Sequence, residues 1–413
     1  MKRSMTPRLR GKFWVLGWSL ALTLILGGAP RPASAAEPPP LSPQVSIVFG
    51  EAVTILLPLA DLGPVRRIEI YVRPEGQETT YTQDMLLDET LARYEHSVAE
   101  KPLPLFGQVY YWFKIHPAQG AAYLSPAFTF IYEDNRFPWQ ARTDPPVTVY
   151  WYEGGAVLAD EALNAAQQTL EHARIRWGGR LAPDARVRIY IYASAKALNS
   201  ALDTLPPEMR TPEFQWPRHV VWAYGDGDPR ERLALQRQIA HHVAHIVLYD
   251  TAAKGFAFLP WWFREGLAGL AEPWPDPQAL GTLYHAVAAN QMFSLRELCV
   301  APPVATPEDE LLARAEARAF ATYLFARYGP TGLERLLEIY LSGLGCEEGV
   351  PVALGADLAS LEQAWRVAQG LVPRQGLGPG WTGLWVAVWL VVPSLVLGAW
   401  YWRTRRLDED FAL

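Results

Sequence analysis

The chain has 413 residues, 50% of them hydrophobic, with 37 Lys and Arg against 43 Asp and Glu and a formal charge of −6. That length fits two globular domains plus flanking segments. The acidic balance argues against a nucleic-acid partner or an anionic lipid surface for the folded part.

The N-terminus reads as a secretory signal, residues 1–35. Lys2, Arg3, Arg8, Arg10 and Lys12 precede the apolar run Phe13–Leu26, and Ala33-Ser34-Ala35 forms a small-residue cleavage site. An uncleaved anchor is the competing reading, but the core is short for a span. Cleavage removes those five bases and Arg31 but no acid, leaving a more acidic mature chain. Residues 36–44, with "EPPPLSP" at their centre, form a stiff linker.

From 45 to 135 the runs are short and β-branched or aromatic: "VSIVF", "AVTILLPL", "RIEIYVR", "VYYWFKI" and "AFTFIY". In the third, Ile68, Ile70 and Val72 share one face, with Glu69 and Tyr71 on the other. Several short strands separated by Pro, Gly and polar turns predict an all-β sandwich of immunoglobulin or fibronectin architecture. The segment "YEDNRFPWQARTDPP", Tyr132–Pro146, reads as a junction.

Residues 146–370 have a mixed texture. Strands are predicted at Val147–Tyr152, Val187–Tyr192 and Val220–Tyr224, and a helix at Asp160–Arg176. Helical periodicity then dominates, including Ser294–Cys299, Leu311–Tyr328 and Thr331–Leu344. This order predicts an α+β domain. After a linker at 371–380, the uncharged run 381–402 has the length and flanking Trp residues of a transmembrane helix. Arg403, Arg405 and Arg406 place the tail, 403–413, in the cytoplasm. The expected protein is single-pass at the cell membrane, with its large N-terminal part outside the cytoplasm. Cys299 and Cys346 fall in that exported part, where a disulfide between them is allowed but not required.

The segment most suggestive of chemistry is "QIAHHVAHIVLYD", Gln238–Asp250. Asp228 and Pro229 suit the start of its helix. His241 and His245, four apart, project from one helix side and can close on one zinc ion. Glu265, in "LPWWFREGLAGLAE", follows His245 by 20 positions. It can complete a His2Glu set with one position left for water. Read alone, the histidines are equally a packed or solvated helix face, and Glu265 a salt-bridged carboxylate.

The frame H-x-x-x-H followed by W-F-R-E-G-L-A resembles the peptidase MA-like gluzincins, zinc metallopeptidases of the H-E-x-x-H type. The resemblance is strongest to membrane-anchored bacterial members with an N-terminal β-sandwich. It implies a zincin domain with His241, His245 and Glu265 as zinc ligands and a polypeptide substrate. Two positions depart from the family. His242 stands where the family has the general-base Glu, which takes a proton from water and passes it to the leaving amine. Gly269 stands where many relatives have an acid able to orient a zinc ligand. Glu272 lies seven positions after Glu265, about 10 Å along a helix, too far to serve as the base. His242 and His245, three apart, form a rival chelating pair. The expectation is therefore a catalytically impaired metallopeptidase homologue. The alternative is a binding or scaffolding protein that holds a polypeptide or envelope partner.

Overall fold

A computed structural model describes residues 40–60, 62–209, 217–229, 231–302 and 306–370. The predicted signal segment, the 371–380 linker, the 381–402 span and the tail lie outside the described residues. Among the described residues, no helix is long and apolar enough to cross a membrane.

The N-terminal part holds two antiparallel sheets. One has the order β1 (Gln44–Val48), β2 (Ala52–Pro58), β6 (Leu91–Ser97), β5 (Leu86–Leu87). The other runs β4 (Tyr81–Asp84), β3 (Val65–Pro74), β7 (Gln108–Pro117), β8 (Tyr123–Leu124), with β9 (Phe128–Ile131) also on β7. Alternation decides the faces. Val53, Ile55 and Leu57 of the first sheet share one core with Ile68, Ile70 and Val72 of the second. On the opposite face Glu69 sits among Arg67, Lys114 and His116.

The junction folds more fully than its sequence suggests. β10 (Gln140–Asp144) pairs antiparallel with β11 (Val147–Trp151), so the next sheet begins ahead of residue 146. All five β10 residues are exposed, which leaves no apolar alternation to read. The preceding residues clasp the two parts together. Buried Asp134 accepts hydrogen bonds from Arg136 at 2.7 and 2.8 Å and from the Tyr192 hydroxyl at 3.0 Å. Trp139 Nε1 donates to the Asp134 carbonyl at 2.7 Å.

The sheet continues in parallel through β12 (Val187–Tyr192) and β13 (Val220–Tyr224). One face is covered by α1 (Gly155–Trp177) and α3 (Arg232–Ala252), whose Ala162, Ala166, Ile239 and Val243 pack on Val149 and Ile189. The remainder is helical: α2 (Ala195–Leu202), α4 (Trp261–Ala271), α5 (Pro277–Ala289), α6 (Pro307–Leu341), α7 (Cys346–Leu354) and α8 (Leu358–Ala368). Two details differ from the sequence reading. α3 starts at Arg232, and Asp228 contributes through its carbonyl, which accepts from the N–H of Glu231 and Arg232. Glu297–Cys299 is a single 3₁₀ turn. The two expected late helices are both present, meeting at a kink at Gly329 (φ 68°) before Pro330, and share the label α6.

Candidate metal centre

Two helices build the site. α3 is packed through Val243, Val247 and Leu248, which fixes the rotation that turns His241 and His245 to one side. α4 begins after Pro260 and buries Trp262, Phe263 and Leu267 fully. Gly266 lets α4 approach α6: a Cβ there would lie 2.8 Å from the Ala317 carbonyl oxygen and 2.8 Å from Ala321 Cβ. The glycine after Glu265 thus has a packing reason, and the close approach holds Glu265 in place. From α1, Arg176 and His172 hydrogen-bond the carbonyls of Leu270 and Ala271, closing the C-terminal end of α4.

The two imidazoles and Glu265 converge. His241 Nε2 and His245 Nε2 are 3.2 Å apart. The Glu265 oxygens lie 3.5 Å from His241 Nε2 and 3.4 Å from His245 Nε2. Zinc bonds of about 2.0–2.1 Å in a tetrahedron separate the ligand atoms by roughly 3.3 Å. The three spacings match that edge, and Glu265 Oε2 is buried without a hydrogen-bond partner. The donor set therefore fits a zinc ion, and among the described residues it is the one such group. Burial pushes the Glu265 carboxyl up, but His245, His241 and Arg314 outweigh it and hold it well below the usual carboxylate range. Burial lowers the His245 imidazole, although Glu265 opposes this. Both ligands are thereby kept in their metal-binding protonation states.

His242 is in the cleft beside the triad but is not directed like its neighbours. Its Nδ1 lies 2.7 Å from the Gln238 carbonyl of its own helix. A carbonyl only accepts, so Nδ1 carries the proton and Nε2 holds the free lone pair. Desolvation by the cleft walls and the proximity of His241 lower its pKa. Its side chain is exposed, so solvent screens much of that push. Among the described residues no carboxylate stands at the base position.

The orienting carboxylate absent at Gly269 is supplied by Glu272. Helical spacing does not describe Glu272, because α4 ends at Ala271 and Glu272 is extended (φ −60°, ψ 133°). Its side chain turns back and places Oε1 2.9 Å from His241 Nδ1. Its other oxygen is held by Arg318 of α6. Arg318 also explains Gly269: a Cβ there would lie 2.9 Å from both Cβ and Cγ of that arginine. Nothing in the sequence signals the pairing of Glu272 with Arg318. Away from the centre, Cys299 and Cys346 are joined in a disulfide, with Cα atoms 5.8 Å apart. Trp262 Nε1 lies 3.3 Å from Cys346 Sγ, which ties the bridge to α4.

An open cleft of ≈ 980 Å³ runs past the triad, bounded by α3, α4, α5 and α6. Residues 165–369, from within α1 to the end of α8, match the family model described as Peptidase MA superfamily. No curated protein matches the sequence. Solved structures with partial similarity include the fn3 domain of human collagen alpha-1(XX) chain (12% identity, 28% of this chain and 98% of that chain, TM-score 0.20). A polysaccharide deacetylase from Bacillus cereus is 9% identical over 49% of this chain and 78% of its own, with a TM-score of 0.20. A family 76 glycoside hydrolase from a bovine Bacteroides thetaiotaomicron strain is 9% identical over 80% and 98%, with a TM-score of 0.17. At these scores the three similarities carry no argument.

Proposed function

Because this chain belongs to the Peptidase MA superfamily through residues 165–369, we propose that it is a membrane-anchored, extracytoplasmic zinc metallopeptidase homologue with an impaired hydrolytic step. In this reading residues 1–35 direct export, the β-sandwich and the zincin domain stand outside the cytoplasm, and residues 381–402 anchor them. The observation that carries the reading is the convergence of His241, His245 and Glu265 beside a His242 whose Nδ1 is tied to its own helix.

His241, His245 and Glu265 would hold the zinc ion. When bound in such a set, zinc polarises a substrate carbonyl and lowers the pKa of a water molecule. Glu272 keeps the proton of His241 on Nδ1, so that Nε2 faces the metal position. Arg318 fixes Glu272 in turn. The family's proton carrier is the missing part. Loss of a general base costs on the order of 10²–10⁴ in rate.

The same substitution favours a second reading, a non-enzymatic module that holds a polypeptide or an envelope protein. An open cleft of ≈ 980 Å³ passes the triad although the base position holds His242. Cleavage of a mixed peptide pool by the zinc-loaded full chain separates the readings. Wild type should cleave at least about a hundredfold more slowly than His242→Glu. Robust cleavage by wild type, with no gain in the variant, would contradict the impaired-enzyme reading. A variant that binds zinc and peptide yet stays inactive would favour the holding module.

A further inference from the structure

The cleft is lined by slightly more arginines than carboxylates, the reverse of the chain's balance. Arg176, Arg237, Arg314 and Arg318 line it. The carboxylates on the same walls are Glu265, Glu272 and Asp276. The chain as a whole has more acidic than basic residues. Two of the four are committed: Arg318 to Glu272, and Arg176 to the Leu270 carbonyl.

Arg237 is held less closely, and Arg314 is ion-paired but partly exposed. Arg237 sits one turn before His241 on α3; its nearest ion-pair contact is Asp276 at 3.8 Å, and its buried Nε has no hydrogen-bond partner. Arg314 comes from α6. Its Nη2 meets Glu310 at 2.7 Å, its Nε is 3.7 Å from Glu265 Oε2, and 43% of its side chain is exposed. The two guanidinium groups therefore line the cleft from different helices, Arg314 beside Glu265. A planar guanidinium matches a carboxylate with two parallel hydrogen bonds. The α5 wall has a different character. Leu280 and Tyr284, one turn apart, are 37% and 67% exposed and face the same cleft. A small inorganic anion would satisfy the arginines and leave this wall wet.

We propose that the cleft selects polypeptide segments carrying a carboxylate close to apolar side chains. Arg237 and Arg314 receive the carboxylate, while Leu280 and Tyr284 cover the apolar neighbours. This rests on the reading that the cleft holds polypeptide, and it names the class. The carboxylate comes either from a chain terminus or from an Asp or Glu side chain.

Fluorescence anisotropy on the full chain in detergent tests this, using three labelled peptides of one apolar sequence. One is amidated and neutral, one has a free C-terminal carboxylate, and one is amidated with an internal Glu. At least one acidic peptide should bind about tenfold or more tightly than the neutral one, and the better of the two identifies the source. That ratio should shrink in Arg237→Gln and in Arg314→Gln, and also with added salt. A variant that has lost its fold would also lose the ratio, so a variant counts only where it still binds the neutral peptide as wild type does, and the wild-type comparison needs no variant. Equal binding of all three peptides, or binding of none, would overturn the proposal. Repeating the titration with zinc and with chelator separates the two readings. A preference in a chain that takes up no zinc removes the metal part of the proposed function and leaves the selectivity standing. Zinc binding without a preference does the reverse.

Discussion

Glu272→Gln isolates the orienting carboxylate. In the native site His241 Nδ1 donates to Glu272 Oε1 at 2.9 Å, and Arg318 holds the second oxygen. A glutamine has one oxygen, and the charged Arg318 attracts it more strongly than the imidazole does. The amide NH₂ would then face the Nδ1 proton, donor against donor. His241 would lose both its acceptor and the negative charge beside it. Loss of such a partner typically weakens metal binding 10–100-fold, or about 1.4–2.7 kcal/mol. Competition with a chromogenic zinc chelator reads this directly, with thermal midpoints taken in excess chelator to separate folding from binding. The carboxylate cannot simply return to position 269, where Arg318 fills the space. Gly269→Glu should therefore fail to rescue Glu272→Gln. Zinc affinity of Glu272→Gln within twofold of wild type would refute the assigned role.

Other outcomes follow from features away from the metal. Cys299 and Cys346 are 47 positions apart. Replacing both with Ser should cost about 2–4 kcal/mol in a denaturant titration, and an unchanged midpoint would show that the bridge does not constrain the fold. Glu316 is fully buried, and burial pushes its carboxyl up to about 8, with the Phe293 N–H and Arg366 opposing. In the unfolded chain it titrates near the ordinary Glu value of about 4.3. Between those pH values the folded state binds the proton and the unfolded state does not. Its contribution therefore makes stability fall as pH rises through that window and level off above it. Glu316→Gln should flatten the slope between about pH 5 and 8, and an unaltered slope would place its origin elsewhere.

Much of the architecture was legible because burial leaves a period in the sequence. Ile68, Ile70 and Val72 alternate and are buried, and Val147–Trp151 pairs in parallel with Val187–Ile191 where strands were expected. The ligand trio was legible because His241 and His245 must be four apart and Glu265 sits on a helix with a strong apolar face. Other features have no local signal. β10 is wholly exposed, so only its pairing identifies it. Glu272 reaches His241 because the helix ends one residue earlier, and a helix boundary is weakly encoded. Arg237 of α3 meets Arg314 and Arg318 of α6 at the cleft through the packing of separate helices, which no spacing within one segment reveals. The cysteine pair was open in the sequence and is bridged in the fold.

The central claim is that His241, His245 and Glu265 form a zinc site. Metal content by mass spectrometry, on the full chain and on His241→Ala, His245→Ala and Glu265→Gln, tests it most directly. One zinc per wild-type chain, lost in each variant while the thermal midpoint in chelator stays unchanged, is the expected result. A wild-type chain that takes up no zinc, or variants that retain it fully, would contradict the claim.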